Sequence, residues 1–195
     1  MRQAVAALMM TLLLVLTGCE GQGRPAPEAR ARQHYAGLTG FSAQGEIRAD
    51  YGDKVYEFEV SVVGDLTSGT LKVTAPASVA GTSFTWMEGA GAVTYGEITL
   101  ETGALSPDGL SPVDALPVVL QSLSAGTTVT ACRETLEGEE VLFWELAPPN
   151  LTAEESTVLV WLDRQDWKLL QWEITSRGTT VVSGTMTQYS DTTEG

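Results

Sequence analysis

From Phe41 onward, apolar residues recur at every second position. Phe41, Ala43, Gly45, Ile47, Ala49 and Tyr51 alternate with Ser42, Gln44, Glu46, Arg48 and Asp50. That is the pattern of a strand with one face in a core and the other in water. Gly52-Asp53 supplies a turn, after which Tyr56, Phe58, Val60 and Val62 alternate with Glu57, Glu59 and Ser61, so the two segments read as a hairpin. The rhythm continues. Turn signals at Gly64-Asp65 and Ser68-Gly69 precede Leu71, Val73 and Ala75. Pro76 interrupts, Thr82 to Met87 carries Phe84 and Trp86, and Gly89-Ala90-Gly91 turns the chain into Val93-Thr94-Tyr95, with Ile98 and Leu100 beyond.

Two segments change the period. Between Glu28 and Leu38, the residues Ala31, Tyr35 and Leu38 share one helical face. In mid-chain, Leu116, Val119, Leu120 and Leu123 form a second helical stripe, with Asp114 as the expected N-cap, Pro117 in the first turn and Gly126 as the stop. Strand patterns then resume over Thr128–Leu136, Glu140–Leu146, Thr157–Leu162, Trp167–Ile174 and Thr179–Tyr189, and Ser190 onward reads as a polar tail. The count is nine to eleven strands and two helices, a mainly β (α+β) chain built as a meandering antiparallel sheet.

The start of the chain has a different character. Met1-Arg2-Gln3 is followed by an uncharged run from Ala4 to Leu16, the length of a signal-peptide core and short for a membrane span. It ends in Leu16-Thr17-Gly18-Cys19, which resembles the lipobox of bacterial lipoproteins. That resemblance implies removal of residues 1–18, a diacylglyceryl thioether on Cys19 and residence on the extracytoplasmic face of a cell membrane. Two acyl chains make a stable anchor where one alone is marginal. Residues 19–27, rich in Gly and Pro, read as a tether.

The formal charge of −14 disfavours nucleic acid and would repel the domain from anionic lipid, so the anchor would be needed to keep it at such a surface. With Cys19 lipidated, Cys132 has no disulfide partner, and in its strand it reads as a small buried hydrophobe. The single histidine, His34, reads as a solvated or partly packed helix residue. One His and one free Cys cannot furnish a structural zinc site, no Gly-x-Ser-x-Gly elbow or phosphate loop is present, and Glu57 and Glu59 share a solvent face. The expectation is a non-catalytic protein without a cofactor.

The order lipobox, short helix, strand from Phe41-Ser42-Ala43, long antiparallel run, mid-chain helix and further strands resembles the LolA/LolB lipoprotein-carrier superfamily. Gly69-Thr70-Leu71-Lys72-Val73-Thr74-Ala75-Pro76, followed by Ala80-Gly81 and an aromatic hairpin, is similar to a passage of those proteins. The resemblance covers residues 28–189. It implies a strongly curved, unclosed antiparallel sheet, a half-barrel, with two helices on its concave side and an apolar cavity for acyl chains or a lipoprotein. A lipid-anchored branch, to which the germination lipoprotein GerS belongs, implies instead a module that binds an envelope protein such as a cell-wall amidase. Retention of an anchor argues against a free shuttle. The residues expected to line a cavity are Tyr56, Phe58, Phe84, Trp86, Phe143, Trp144, Trp161 and Trp172, against the alternative that they are ordinary core.

Overall fold

The computed structural model describes residues 25–149 and 151–193; the segment expected to be a signal peptide, Cys19 and most of the segment expected to be a tether lie outside them. Helix α1 (Pro27–Ala36) leads into β1 (Leu38–Asp50), β2 (Val55–Gly64), β3 (Ser68–Ala75), β4 (Ser83–Met87), β5 (Ala90–Tyr95) and β6 (Ile98–Ala104). Helix α2 (Pro112–Ala125) follows, then β7 (Thr127–Leu136), β8 (Glu139–Ala147), β9 (Ser156–Asp163), β10 (Leu169–Ser176) and β11 (Thr179–Thr193). All eleven strands form one antiparallel sheet in the order β6-β5-β4-β3-β2-β1-β11-β10-β9-β8-β7. The first and last strands meet in the middle, and α2 carries the chain from one free edge to the other. The sheet is an unclosed half-barrel with both helices on its concave side, the architecture that the LolA/LolB resemblance implies.

Local chemistry explains most of this. Glu88-Gly89, Glu137-Gly138 and Arg177-Gly178 are two-residue loops with positive φ at both positions, the geometry whose twist matches the strands it joins. At the β1–β2 turn an Asp50 carboxylate oxygen accepts from the Gly52 N–H at 3.0 Å. Six of the ten strand pairings contain a register shift, and such bulges bend a sheet and increase its twist.

The helices hold the concave side. One face of α2 places Leu116, Leu120 and Leu123 in the core, against a continuous set that includes Trp144, Leu146, Val158, Leu162, Trp172 and Ile174. Its N-cap is Ser111, whose hydroxyl accepts from the Val113 N–H, with Pro112 at the first helical position. The expected cap, Asp114, lies inside the first turn instead, and Pro117 is interior to the helix. The three-residue correction arises because Leu110-Ser111-Pro112 begins the helix before its apolar stripe starts. Helix α1 is clamped by side chains: the Tyr35 hydroxyl donates to the Trp167 carbonyl at 2.8 Å, and His34 Nε2 lies 2.8 Å from an Asp191 carboxylate oxygen. His34 is thus a packed residue at the α1–β11 junction.

Three further expectations change. Trp167 is not on a strand but in the β9–β10 turn, at φ 62°. Ser190 to Thr193, read as a polar tail, continue β11 and pair with β1. Cys132 is exposed, because β7 is an edge strand and this residue points away from the helices.

Candidate functional site

Strand alternation divides the sheet into an inner face, toward the helices, and an outer face. Register then places one inner row across most of the molecule: Ala131, Trp144, Val160, Trp172, Gly184, Ile47 and Phe58 lie side by side. A neighbouring row runs from Ala43 through Val62, Leu71, Phe84 and Val93 to Leu100. The inner face is therefore apolar from β7 to β6.

The two ends of that face differ. Under the helices it is filled: Trp144, Leu146, Val158, Val160, Leu162, Trp172 and Ile174 are fully buried. Trp172 lies flat on Gly184, where a Cβ would come within 2.5 Å of the indole. Toward β6 the same face runs out into solvent. Phe84 and Trp86 are still buried, Trp86 lying on Gly69, but Tyr95 is 56% exposed, Leu100 66% and Ile98 75%. Tyr56 and Tyr51 continue this open rim beside the approach to α2, where the Tyr51 hydroxyl donates to the Leu110 carbonyl at 3.0 Å. Tyr56 and Phe58 stack with ring centroids 6.4 Å apart.

Of the eight residues expected to line a cavity, six are on the inner face: Tyr56 and Phe58 at the rim, Phe84 and Trp86 midway, and Trp144 and Trp172 in the filled core. Phe143 and Trp161 are on the outer face, where they form a tilted pair at 5.2 Å and Trp161 Nε1 donates to Glu134. They cannot line the interior. Phe143 and Trp144 are consecutive in one strand, and consecutive side chains point to opposite faces. Tyr51, Tyr95, Ile98 and Leu100 belong to the rim and were not singled out from the sequence. Their signal was available: each continues a period-two pattern, and only the missing helix above them distinguishes them from core.

The polar features of the inner face are few. The indole N–H groups of Trp86 and Trp172 are buried with no acceptor among the described residues. Burial pushes the Tyr35 hydroxyl well above its usual range, with the neighbouring Tyr189 adding to the shift. The larger depressions, about 580 Å³ beside Thr70, Thr85, Met87 and Ala92 and about 410 Å³ beside Glu46, Arg48, Glu57 and Glu59, open on the outer face. Among the described residues no group of three or more His, Cys, Asp or Glu side chains is placed to hold a metal.

A half-barrel with an apolar, helix-plugged interior is the fold class defined by these features. Solved structures share it. The chain is similar to an uncharacterized conserved protein from Thermus thermophilus (TM-score 0.51, 10% identity, covering 88% of this chain and 90% of that one). It is also matched to a LolA superfamily protein from Nitrosomonas europaea (TM-score 0.46, 12% identity, 87% and 93% covered) and to the Mycobacterium tuberculosis lipoprotein LppX (TM-score 0.47, 18% identity, 86% and 95% covered). No family model matches the chain, and no curated protein matches its sequence.

Proposed function

We propose that this protein is a non-catalytic lipoprotein, anchored through Cys19 to the extracytoplasmic face of a cell membrane, that takes up acyl chains of a lipid or lipoprotein along its inner face. The observation that carries the reading is the continuity of that face, from the buried core to the uncovered Tyr95, Ile98 and Leu100. Exposed apolar surface contiguous with a core marks a binding site more often than isolated exposed residues do. An acyl chain laid along it would replace water against the same residues, at roughly 25 cal/mol per Å² of apolar surface covered.

The test is to purify the domain without its lipid anchor and measure uptake of a fluorescent fatty acid, with mass spectrometry of co-purified lipid. Saturable uptake that Leu100→Ser and Ile98→Ser weaken is the expected result. No uptake and no retained lipid would remove the reading.

A second reading is favoured by one feature: β6 is a free edge strand exposed along its whole length. Such an edge can accept a strand from an envelope protein, for example a cell-wall amidase. A complex that Thr99→Pro abolishes, while fatty-acid uptake persists, would favour this partner-binding role.

A further inference from the structure

The outer face of the sheet carries its own apolar patch. Register places Phe143, Trp161, Gln171, Thr185, Glu46 and Glu59 in one row from β8 to β2, and Glu145, Leu159, Glu173, Ser183, Arg48 and Glu57 in the next. Phe143, Trp161 and Leu159 meet at the β8–β9 end, each half-buried. Trp161 Nε1 donates to Glu134 at 2.9 Å, and Phe143 tilts against the indole at 5.2 Å. At the other end the rows border a recess of about 410 Å³, walled by Glu46, Glu59, Ser183 and Thr185, with Pro76 at its side. Three inter-strand steps separate Trp161 on β9 from Glu46 on β1, ~14 Å in all.

The charge on this strip has one sign. Its two rows hold five carboxylates, Glu46, Glu57, Glu59, Glu145 and Glu173, and one cation, Arg48. Arg48 is already shared between Asp50 and Glu57, at 2.8 and 2.7 Å. Glu46 and Glu59 are directly opposite each other across β1 and β2, an arrangement that costs a sheet stability. Neither they nor Glu145 form an ion pair among the described residues. Glu173 accepts from the Thr180 hydroxyl at 2.8 Å. Beyond the rows, Arg133 and Arg164 are both taken up by Glu140. Lys72, opposite Ser61, has no ion-pair partner among the described residues.

We infer that this strip docks a basic segment of another protein. An apolar side chain of the segment rests on Phe143, Trp161 and Leu159, and a Lys or Arg enters the recess between Glu46 and Glu59. An extended segment crossing the strands covers ~14 Å with about four residues, which sets the spacing between its apolar anchor and its cation. A cross-strand aromatic pair stabilises a sheet by itself, but that role requires neither the surrounding carboxylates nor the recess. Charge complementarity selects the occupant. Anionic lipid and nucleic acid are repelled from such a strip, and so is the same strip of a second copy. No group of three or more His, Cys, Asp or Glu among the described residues is placed to hold a metal there. An incoming cation offsets the repulsion between Glu46 and Glu59 and is the counter-charge that the strip lacks. The surface is on the opposite side of the sheet from the acyl-chain face and is independent of that reading.

Selection of a random peptide library on the purified full chain tests this, followed by affinity measurements on the commonest selected peptide by fluorescence anisotropy. The selected sequences should be enriched in Lys or Arg a few residues from an aromatic or aliphatic side chain. Glu46→Gln with Glu59→Gln should weaken binding several-fold, and raised salt should do the same. The unfolding midpoint of that variant should equal or exceed the parent's, since the substitutions remove a like-charge pair, so lost binding cannot be lost folding. Glu46→Lys with Glu59→Lys should shift the preference toward acidic peptides. Trp161→Thr should weaken binding independently, read against its own unfolding midpoint. Selected peptides without basic enrichment, or binding that the Gln and Lys variants leave unchanged, overturn the inference. So does saturable binding of a neutral oligosaccharide that Trp161→Thr abolishes and the glutamine variant does not, which would make the aromatic patch a sugar platform.

Discussion

The half of the sheet formed by β8 to β11 with β1 and the wing formed by β3 to β6 share one alternating pattern, yet they end in different states. In the first, inner side chains meet two helices and vanish from solvent; in the second, the same pattern proceeds past the last covering element and stays wet at Tyr95, Ile98 and Leu100. Identical local chemistry thus produces a structural core in one place and an exposed apolar surface in another. The difference lies in what is above the sheet, and it predicts that stability resides in the covered half and ligand contact in the wing.

Substitutions can break that division. Trp172→Ala should have the largest effect, a loss of about 3–5 kcal/mol in denaturant unfolding, because a fully buried indole is removed from between Gly184 and the helices. Gly184→Ala should cost about 1–3 kcal/mol, since its Cβ would overlap that ring. If Leu100→Ser destabilises as much as either, the wing is not the independent, open surface described. Its expected cost is within about 0.5 kcal/mol, with the loss appearing in fatty-acid uptake instead. Amide exchange sharpens the same contrast: protection should be deepest in β9 and β10 and shallowest in β6, which is paired on one side and exposed throughout.

The smallest expected effect concerns the junction between the two regions. Asp114 is in the first turn of α2, and burial pushes its pKa up, with nearby Asp108 adding to the shift against an opposing hydrogen bond from the Ser106 N–H. A raised folded-state value makes the ionised form the costly one. Its contribution is most favourable below the unfolded carboxylate pKa, ~3.9, and is lost as pH rises through the folded value. Asp114→Asn should therefore match the parent in acid and exceed it at neutral pH. The gain should be under about 1 kcal/mol, because the group is only half-buried and water screens it. Urea midpoints measured across that pH range would show it.

Much of the fold was legible because antiparallel strands announce themselves locally. Period-two alternation and turn residues located the strands within a few positions, and the i, i+3, i+4, i+7 stripe located α2. The misplacements have local causes of another kind. Ser111 outcompeted Asp114 as cap because Pro112 begins the helix before its apolar stripe does. Trp167 reads as strand by composition but occupies a turn whose geometry depends on Asp163 accepting from the Gln165 N–H at 2.6 Å. The candidate site was legible only in part. Composition marks aromatic residues without marking their side, so Phe143 and Trp161 look the same as Trp144 and Trp172 in the sequence, although register places the first two outside. Cys132 is exposed where its strand pattern suggests burial, because the identity of an edge strand is not a local property.

By itself, the sequence determined the alternation, the turns, the two helices, the lipobox-like start and the absence of recognised catalytic motifs, because each depends on residues within a few positions of one another. Only the tertiary structure decided which strand lies beside which, where the sheet ends, and how far two short helices reach across it. Those outcomes depend on contacts between distant segments, such as β1 with β11 and α1 with α2. They separate a buried aromatic from an exposed one of identical pattern, and so a core from an open apolar surface.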